Sequence, residues 1–223
     1  MVVLIDKEKN WTSFDVVAKI RNILRKFFPD RIKVGHAGTL DPLATGLVVV
    51  FTGQYTKLIN NFLDEDKSYT AMVKFGAVTP SFDLETEEQN FSDTSFLNFE
   101  LINRTLDEKF KGEILQTPPS YSAKRINGER AYEKVRKGEQ PELKPVKVTI
   151  KNIELSSFES PYAEINVSCT KGTYIRSLAN DLGKELGCGA YLKDLRRTGS
   201  GEFNVENALN VKDFCKLINI NKI

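Results

Sequence analysis

Twelve consecutive residues, Gly35-His36-Ala37-Gly38-Thr39-Leu40-Asp41-Pro42-Leu43-Ala44-Thr45-Gly46, concentrate the residue types that do chemistry. They hold three glycines, one proline, one aspartate and the only histidine of the chain, and the apolar run Leu47 to Phe51 follows them. Glycine relaxes the backbone and proline fixes it, so the segment reads as a shaped loop feeding a buried strand. A carboxylate on such a loop suits catalysis as a nucleophile or base. Asp41 equally suits plain turn formation ahead of Pro42. His36 is the residue type that moves protons near neutral pH, and a structural hydrogen bond within the loop is its other reading. Arg176 falls in the first turn of a helix predicted to begin near Thr173. A guanidinium held there would favour and orient an ionised carboxylate; otherwise it is an ordinary surface arginine. Tyr69 opens an alternating strand, the usual place of a core aromatic. Leu195 reads as core or as the apolar floor of a pocket. Arg196 and Arg197 suit phosphates or salt bridges, and their adjacency implies that they do not share one role. One histidine and three scattered cysteines without CxxC spacing cannot build a zinc site of the usual type. No GxxxxGK[ST] phosphate loop occurs either.

The elements that would position these residues follow from periodicity. Val2 to Ile5 reads as a buried strand ending at Asp6-Lys7. Thr12 or Ser13 would cap a helix with the apolar face Val16, Val17, Ile20, Ile23, Leu24 and Phe27, ended by Pro29-Asp30. Helical spacing returns weakly over 56–63. Tyr69, Ala71, Val73 and Phe75 alternate with Thr70, Met72 and Lys74, which predicts a strand. Residues 79–99 are polar and acidic and read as a loop or mobile insertion. Helices are predicted over 99–111 and 131–137, with Thr117-Pro118-Pro119-Ser120 breaking the first. Strands are predicted at Val146–Ile150 and Ala163–Cys169. Ile175, Leu178, Leu182 and Leu186 recur at helical spacing with Gly187 as the C-cap. Strands clustered rather than strictly alternating with helices indicate an α+β class.

The twelve-residue motif resembles the signature of the TruB family of tRNA pseudouridine synthases. Lys67-Ser68-Tyr69-Thr70-Ala71, Pro119-Ser120-Tyr121-Ser122-Ala123-Lys124, Lys171-Gly172-Thr173-Tyr174-Ile175-Arg176-Ser177-Leu178 and Leu195-Arg196-Arg197-Thr198 resemble further motifs of that family, in family order. The resemblance implies a pseudouridine synthase fold: a mixed, mainly antiparallel central sheet flanked by helices, with the active cleft across the sheet. It implies that Asp41 is catalytic, that Tyr69 lies against the target base, and that Arg176 partners the aspartate. Leu195, His36 and Lys7 become substrate-binding residues, His36 as an RNA contact rather than an acid–base group. Lys124, Arg125, Arg196 and Arg197 become contacts to the RNA backbone. The implied reaction isomerises uridine 55 (conventional tRNA numbering) in the T-arm after base flipping, with no cofactor and no metal. The implied partner is the folded T-arm stem-loop of tRNA, bound by a monomer that needs no protein partner.

Composition is compatible with this and does not demand it. The formal net charge is +2, so charge placement matters more than its sum. From Lys111 to Lys151 ten Lys/Arg face five Glu, a local basic stretch fit for phosphates or for plain solvation. Odd, scattered cysteines indicate a reducing compartment, taken as the cytoplasm. The N-terminus lacks a signal-peptide pattern, and the longest apolar runs fall far short of the roughly 20 residues that span a bilayer.

The match also departs from the family. The expected Lys-Pro-x-Gly-x-Ser/Thr-Ser pattern reads Lys7-Glu8-Lys9-Asn10-Trp11-Thr12-Ser13. Its turn should survive because Asn tolerates left-handed geometry. The segment Thr79-Pro80-Ser81-Phe82-Asp83-Leu84-Glu85-Thr86 is degraded, which puts specific contacts from it in doubt. The chain ends about 25 residues after the Leu195–Thr198 motif, too few for a C-terminal PUA-type domain. The expectation is therefore one catalytic domain over 1–223, with a polar insertion at 79–99 and an RNA-contacting insertion at 119–145. A catalytically silent RNA-binding or tRNA-folding module is the rival reading.

Overall fold

A computed structural model describes residues 1–28, 32–126 and 128–220. In chain order the elements are β1 (Val2–Lys7), α1 (Ser13–Leu24), β2 (Val34–Ala37), β3 (Thr45–Thr52), α2 (Ile59–Leu63), β4 (Lys67–Phe75), α3 (Phe99–Thr105), β5 (Gly112–Gln116), β6 (Arg125–Ile126), β7 (Glu129–Arg130), α4 (Ala131–Arg136), β8 (Val146–Glu159), β9 (Tyr162–Cys169), α5 (Ile175–Glu185), β10 (Ala190–Ser200), β11 (Phe203–Asn204) and α6 (Val211–Ile220). The order is α+β, as the patterning indicates. The chain divides into two compact units, Met1–Tyr69 with Leu195–Ile223, and Thr70–Asp194. The division falls inside β4 and β10.

The first unit is built on β3. Every residue from Gly46 to Thr52 is buried, which is why this strand is a continuous apolar run rather than an alternating one. β1 pairs antiparallel along it, from Val2 opposite Phe51 to Lys7 opposite Gly46. β2 pairs antiparallel with its second half, Ala37 lying opposite Val49. β10 joins its first residues in parallel, Arg196 and Arg197 opposite Thr45 and Gly46. The sheet is therefore mixed, and the segment between β2 and β3 turns at the end where β10 arrives. One face of β3 packs Leu47, Val49 and Phe51 against Ala37 and Val205, with Phe62 tilted against Phe51 at 5.1 Å and stacked on Phe203 at 5.5 Å.

α1 begins in a capping box in which Thr12 Oγ1 accepts from the Asp15 amide and the Asp15 carboxylate accepts from the Thr12 amide. It buries Val16, Val17, Ile20 and Leu24. Thr12, not Ser13, is the cap; Ser13 is buried and serves the neighbouring loop. Pro29 and Asp30, the expected stop, lie outside the described residues.

In the second unit β8 pairs antiparallel with β9 and with β5, and α3 packs on β8. Val148, Ile150, Ile153, Leu155, Ala163, Ile165 and Val167 form its buried face with Ala71, Val73 and Phe75 of β4. α5 buries Ile175, Leu178, Ala179 and Leu182. It sits so close to the start of β10 that a Cβ on Gly183 would overlap the Ala190 amide nitrogen. Gly187, at φ +77°, ends it as expected. Residues 79–98 form no helix and no named strand, but their polar side chains Thr79, Ser81 and Asp83 are turned inward and buried.

Candidate active site

Asp41 stands half-exposed on the turn between β2 and β3. Its loop is held from all sides by its own carbonyl oxygens. Arg197 donates from Nη2 to Gly38 O (3.1 Å), from Nη1 to Thr39 O (3.5 Å) and from Nε to Leu47 O (2.6 Å). Ser13 Oγ exchanges hydrogen bonds with the Leu40 backbone, accepting at 2.8 Å and donating at 3.2 Å. The Asp41 carbonyl accepts from the Ala44 amide at 3.1 Å, and Pro42 O accepts from the Asn10 amide at 2.8 Å. Lys7 Nζ donates to Trp11 O (2.7 Å), Glu8 O (3.1 Å), Pro42 O (3.3 Å) and Ala44 O. A loop with its acceptors satisfied this way is rigid, so the carboxylate of Asp41 is presented in a fixed place.

Two features of the sequence produce this grip. β1 alternates with Val3, Ile5 and Lys7 inward, so the lysine stem continues the apolar row and carries its ammonium beneath the loop. Burial brings the Lys7 pKa down to about 8; Asp41 opposes the shift and the Arg197 charge adds to it. Gly46, at φ +103°, lies so close to Arg197 that a Cβ would overlap the Arg197 backbone. Asn10 adopts φ +67°, the left-handed geometry expected of it.

Lys7 and Arg197 both lie in the interior. Arg197 is 1% exposed and its guanidinium is used on three carbonyls, so it does not offer a contact to RNA phosphates. The period of β10 turns Leu195 and Arg197 inward and Arg196 outward. Lys7 is likewise 1% exposed, its ammonium lying among backbone carbonyls. Arg196 forms a bidentate pair with Asp6, at 3.1 and 2.7 Å, while 42% of its side chain stays exposed. Leu195 is buried.

His36, in β2, is half-buried. Burial and then the Arg197 charge hold its pKa below the usual value, which favours the neutral imidazole. Its Nδ1 is buried and has no partner among the described residues. Tyr69 is half-buried at the outer end of the row Ala71, Val73, Phe75. Lys67 fixes the start of that strand, its Nζ donating to Leu63 O at 2.8 Å at the end of α2.

In the second unit Arg176, in the first turn of α5, is 4% exposed. Its Nη1 donates to Ser81 O (3.2 Å) and Tyr121 O (3.0 Å), and its Nε lies 3.6 Å from Asp83 Oδ2. Gln116 holds the chain just before α5, donating to Tyr174 O and accepting from the Tyr174 amide. Ser177 Oγ donates to Thr117 O at 2.7 Å. Asp83 is a buried partner of Arg176 that the degraded motif concealed. Buried carboxylates demand a cation, and the alternation Thr79, Ser81, Asp83 was the available signal. Lys124 and Arg125 are exposed, as a phosphate contact requires, and beside them Lys134 and Lys137 pair with Glu129 and Glu139. Among the described residues no group of three or more His, Cys, Asp and Glu could hold a metal. No described helix is long and apolar enough to cross a membrane.

Residues 24–175 match the family model of TruB family pseudouridylate synthase (N terminal domain), and residues 176–222 that of tRNA pseudouridylate synthase B C-terminal domain. The tRNA pseudouridine synthase B of Phocaeicola vulgatus is 48% identical over 214 residues, covering 96% of this chain and 91% of that protein. That of Flavobacterium johnsoniae is 45% identical over 215 residues, covering 96% and 93%. Among solved structures, a Cbf5-Nop10-Gar1 complex matches with TM-score 0.76 at 28% identity, over 99% of this chain and 55% of the other. An H/ACA RNP bound to a substrate RNA containing 2′-deoxyuridine matches with TM-score 0.72 at 27% identity, over 99% and 54%. The chain thus spans about half the length of these solved chains and nearly all of the two sequence relatives. With two family models covering it from residue 24 onward, this chain belongs to the TruB family of pseudouridylate synthases.

Proposed function

We propose that this chain isomerises uridine to pseudouridine in tRNA, at position 55 of the T-arm, with Asp41 as the catalytic residue. The N1–C1′ bond of the nucleotide breaks, the uracil turns, and a C5–C1′ bond forms; the C5 proton is lost and N1 gains one, so the product is an isomer and no co-reactant is consumed. The observation that carries the reading is the loop of Asp41, a carboxylate half-exposed on a turn whose carbonyls are held by Lys7, Ser13, Asn10 and Arg197. Such anchoring serves a reacting group better than it serves a surface turn.

Arg176 is the arginine that the family motif assigns as partner of the aspartate, and Asp83 and the Ser81 carbonyl fix its guanidinium. Tyr69 stacks on the extruded base, Leu195 gives the pocket an apolar floor, and neutral His36 contacts the RNA through hydrogen bonds. Lys124, Arg125 and Arg196 touch backbone phosphates. Residues 1–223 work as one catalytic domain and as a monomer in the cytoplasm, without a cofactor. The names of the relatives support tRNA as the substrate.

The test is pseudouridine formation on an unmodified tRNA transcript, mapped to the nucleotide, with Asp41→Asn in parallel. Product at position 55 with the native chain and none with the variant is the expected result. RNA binding without product from the native chain would turn the reading to a silent binding module, and product at another uridine would discard the assigned position.

A further inference from the structure

Two of the groups around the Arg176 guanidinium, the Asp83 carboxylate and the Ser81 carbonyl, come from the irregular segment after β4. Its tip is organised by its own side chains. Thr79 Oγ1 and Ser81 Oγ donate to Asp83 O at 2.7 and 3.1 Å, and the Glu85 amide donates to Asp83 Oδ1 at 2.9 Å. The Leu192 amide also donates to Phe82 O at 2.9 Å. The foot of the loop closes where Val78 and Gln89 exchange backbone hydrogen bonds at 2.9 and 2.8 Å.

Glu88 stands at that foot. One carboxylate oxygen accepts from both Lys74 Nζ of β4 and the Tyr191 hydroxyl of β10. Tyr191 is 2% exposed, and burial followed by its hydrogen bond to Glu88 raises its pKa, so it remains a donor. The Lys74 ammonium lies 5.8 Å from the centre of the Tyr191 ring. Glu88 is one residue from the Val78–Gln89 closure and five from Asp83, and it is the side chain that fastens the loop foot to two strands.

We propose that Glu88 is a positioning residue for the uridine isomerisation: by fastening the foot of the 78–89 loop to Lys74 and Tyr191, it sets Asp83 and the Ser81 carbonyl against Arg176. This rests on the reading that Arg176 serves that reaction. The Leu192 bond keeps the tip partly held, so loss of Glu88 loosens the placement of Asp83 without unfolding the unit.

The experiment uses the full chain and a tRNA transcript. Glu88→Ala should lower kcat about tenfold while KM for tRNA stays within about twofold, because geometry rather than substrate grip is lost. Glu88→Gln, which keeps an acceptor oxygen for Lys74 and Tyr191, should recover most of the rate. In an Asp83→Asn background Glu88→Ala should cost little further, because both act through one contact. Equal fold-losses in the two backgrounds would overturn the proposal. Where Glu88→Ala proves too unstable, Tyr191→Phe takes its place in the same cycle.

Amide hydrogen exchange gives a reading independent of turnover. In Glu88→Ala the Val78, Ser81, Glu85 and Gln89 amides should exchange about tenfold faster, with the amides of β8 unchanged. Unchanged exchange in the loop would refute the latch even in an active enzyme. A native chain that makes no pseudouridine, with exchange altered as expected, would instead sink the proposed function and leave the latch standing.

Discussion

Replacing Lys7 by methionine tests how the loop of Asp41 is held. Methionine keeps an unbranched stem in the inward row Val3, Ile5, Lys7 but removes an ammonium shared by four carbonyls. Pro42 O keeps the Asn10 amide as a partner; Ala44 O loses its donor in a buried place. Each buried acceptor left bare costs about 1–3 kcal/mol. Against that stands the burden of the buried charge. A fall in pKa from 10.5 to about 8 corresponds to about 3 kcal/mol of preference for the neutral form. The two effects nearly offset at pH 7, so Lys7→Met should destabilise by only about 1–2 kcal/mol there.

The sign of the pH dependence separates them. The folded pKa is depressed, so the contribution of Lys7 is present in full above pH 10.5 and is lost as pH falls through about 8. The native chain should therefore gain on the variant by about 2 kcal/mol between pH 7 and 9.5. Urea unfolding of both proteins across that range measures this. An equal difference at both pH values would refute the argument that the lysine charge is burdened by burial. Turnover of the variant should fall by less than about tenfold, because Arg197, Ser13 and Asn10 still hold the loop.

Asp41→Asn should abolish product while tRNA affinity stays within about threefold, as the proposed role in chemistry rather than grip requires; parallel loss of binding and activity would contradict that. Asp83→Ala removes a buried carboxylate 3.6 Å from the Arg176 guanidinium and should cost about 3–5 kcal/mol in denaturant unfolding, whereas a near-neutral change would mean that this pair is not an energetic contact. Gly46→Ala forces a Cβ into the Arg197 backbone at a φ of +103° and should cost more than about 3 kcal/mol or prevent folding, read by thermal unfolding and soluble yield. The affinity for tRNA should fall steeply with salt, and neutralising Lys124 and Arg125 should reduce the slope by about one per lost phosphate contact; an unchanged slope would remove both from the RNA interface.

Much of this protein is legible in the sequence because short-range physics writes it there. The buried run Leu47–Phe51 is uniformly apolar because both faces of β3 are covered, and the alternation in β4 and β9 reports strands covered on one face. The apolar stripe of α5, its glycine stop and the capping box before α1 are likewise local patterns. The shaped loop of Asp41 is announced by its Gly, Pro and Asp residues, and the ordered motifs around it suffice to mark the family.

What the sequence leaves open is decided by which backbone each polar side chain meets. Lys7 and Arg197 are basic residues in a chain expected to bind RNA, and nothing local distinguishes a phosphate ligand from a scaffold cation. Their inward positions in β1 and β10 bring both charges to carbonyl oxygens, because a charge carried into the interior must find acceptors there, and those of the Asp41 loop are within reach. Asp83 sits in a polar stretch that reads as solvated loop. Only the fold that brings residues 81–83 beside the start of α5 makes it the buried counter-charge of Arg176. Periodicity encodes which way a side chain points; partners more than ninety residues apart in the chain are encoded only by how the elements pack.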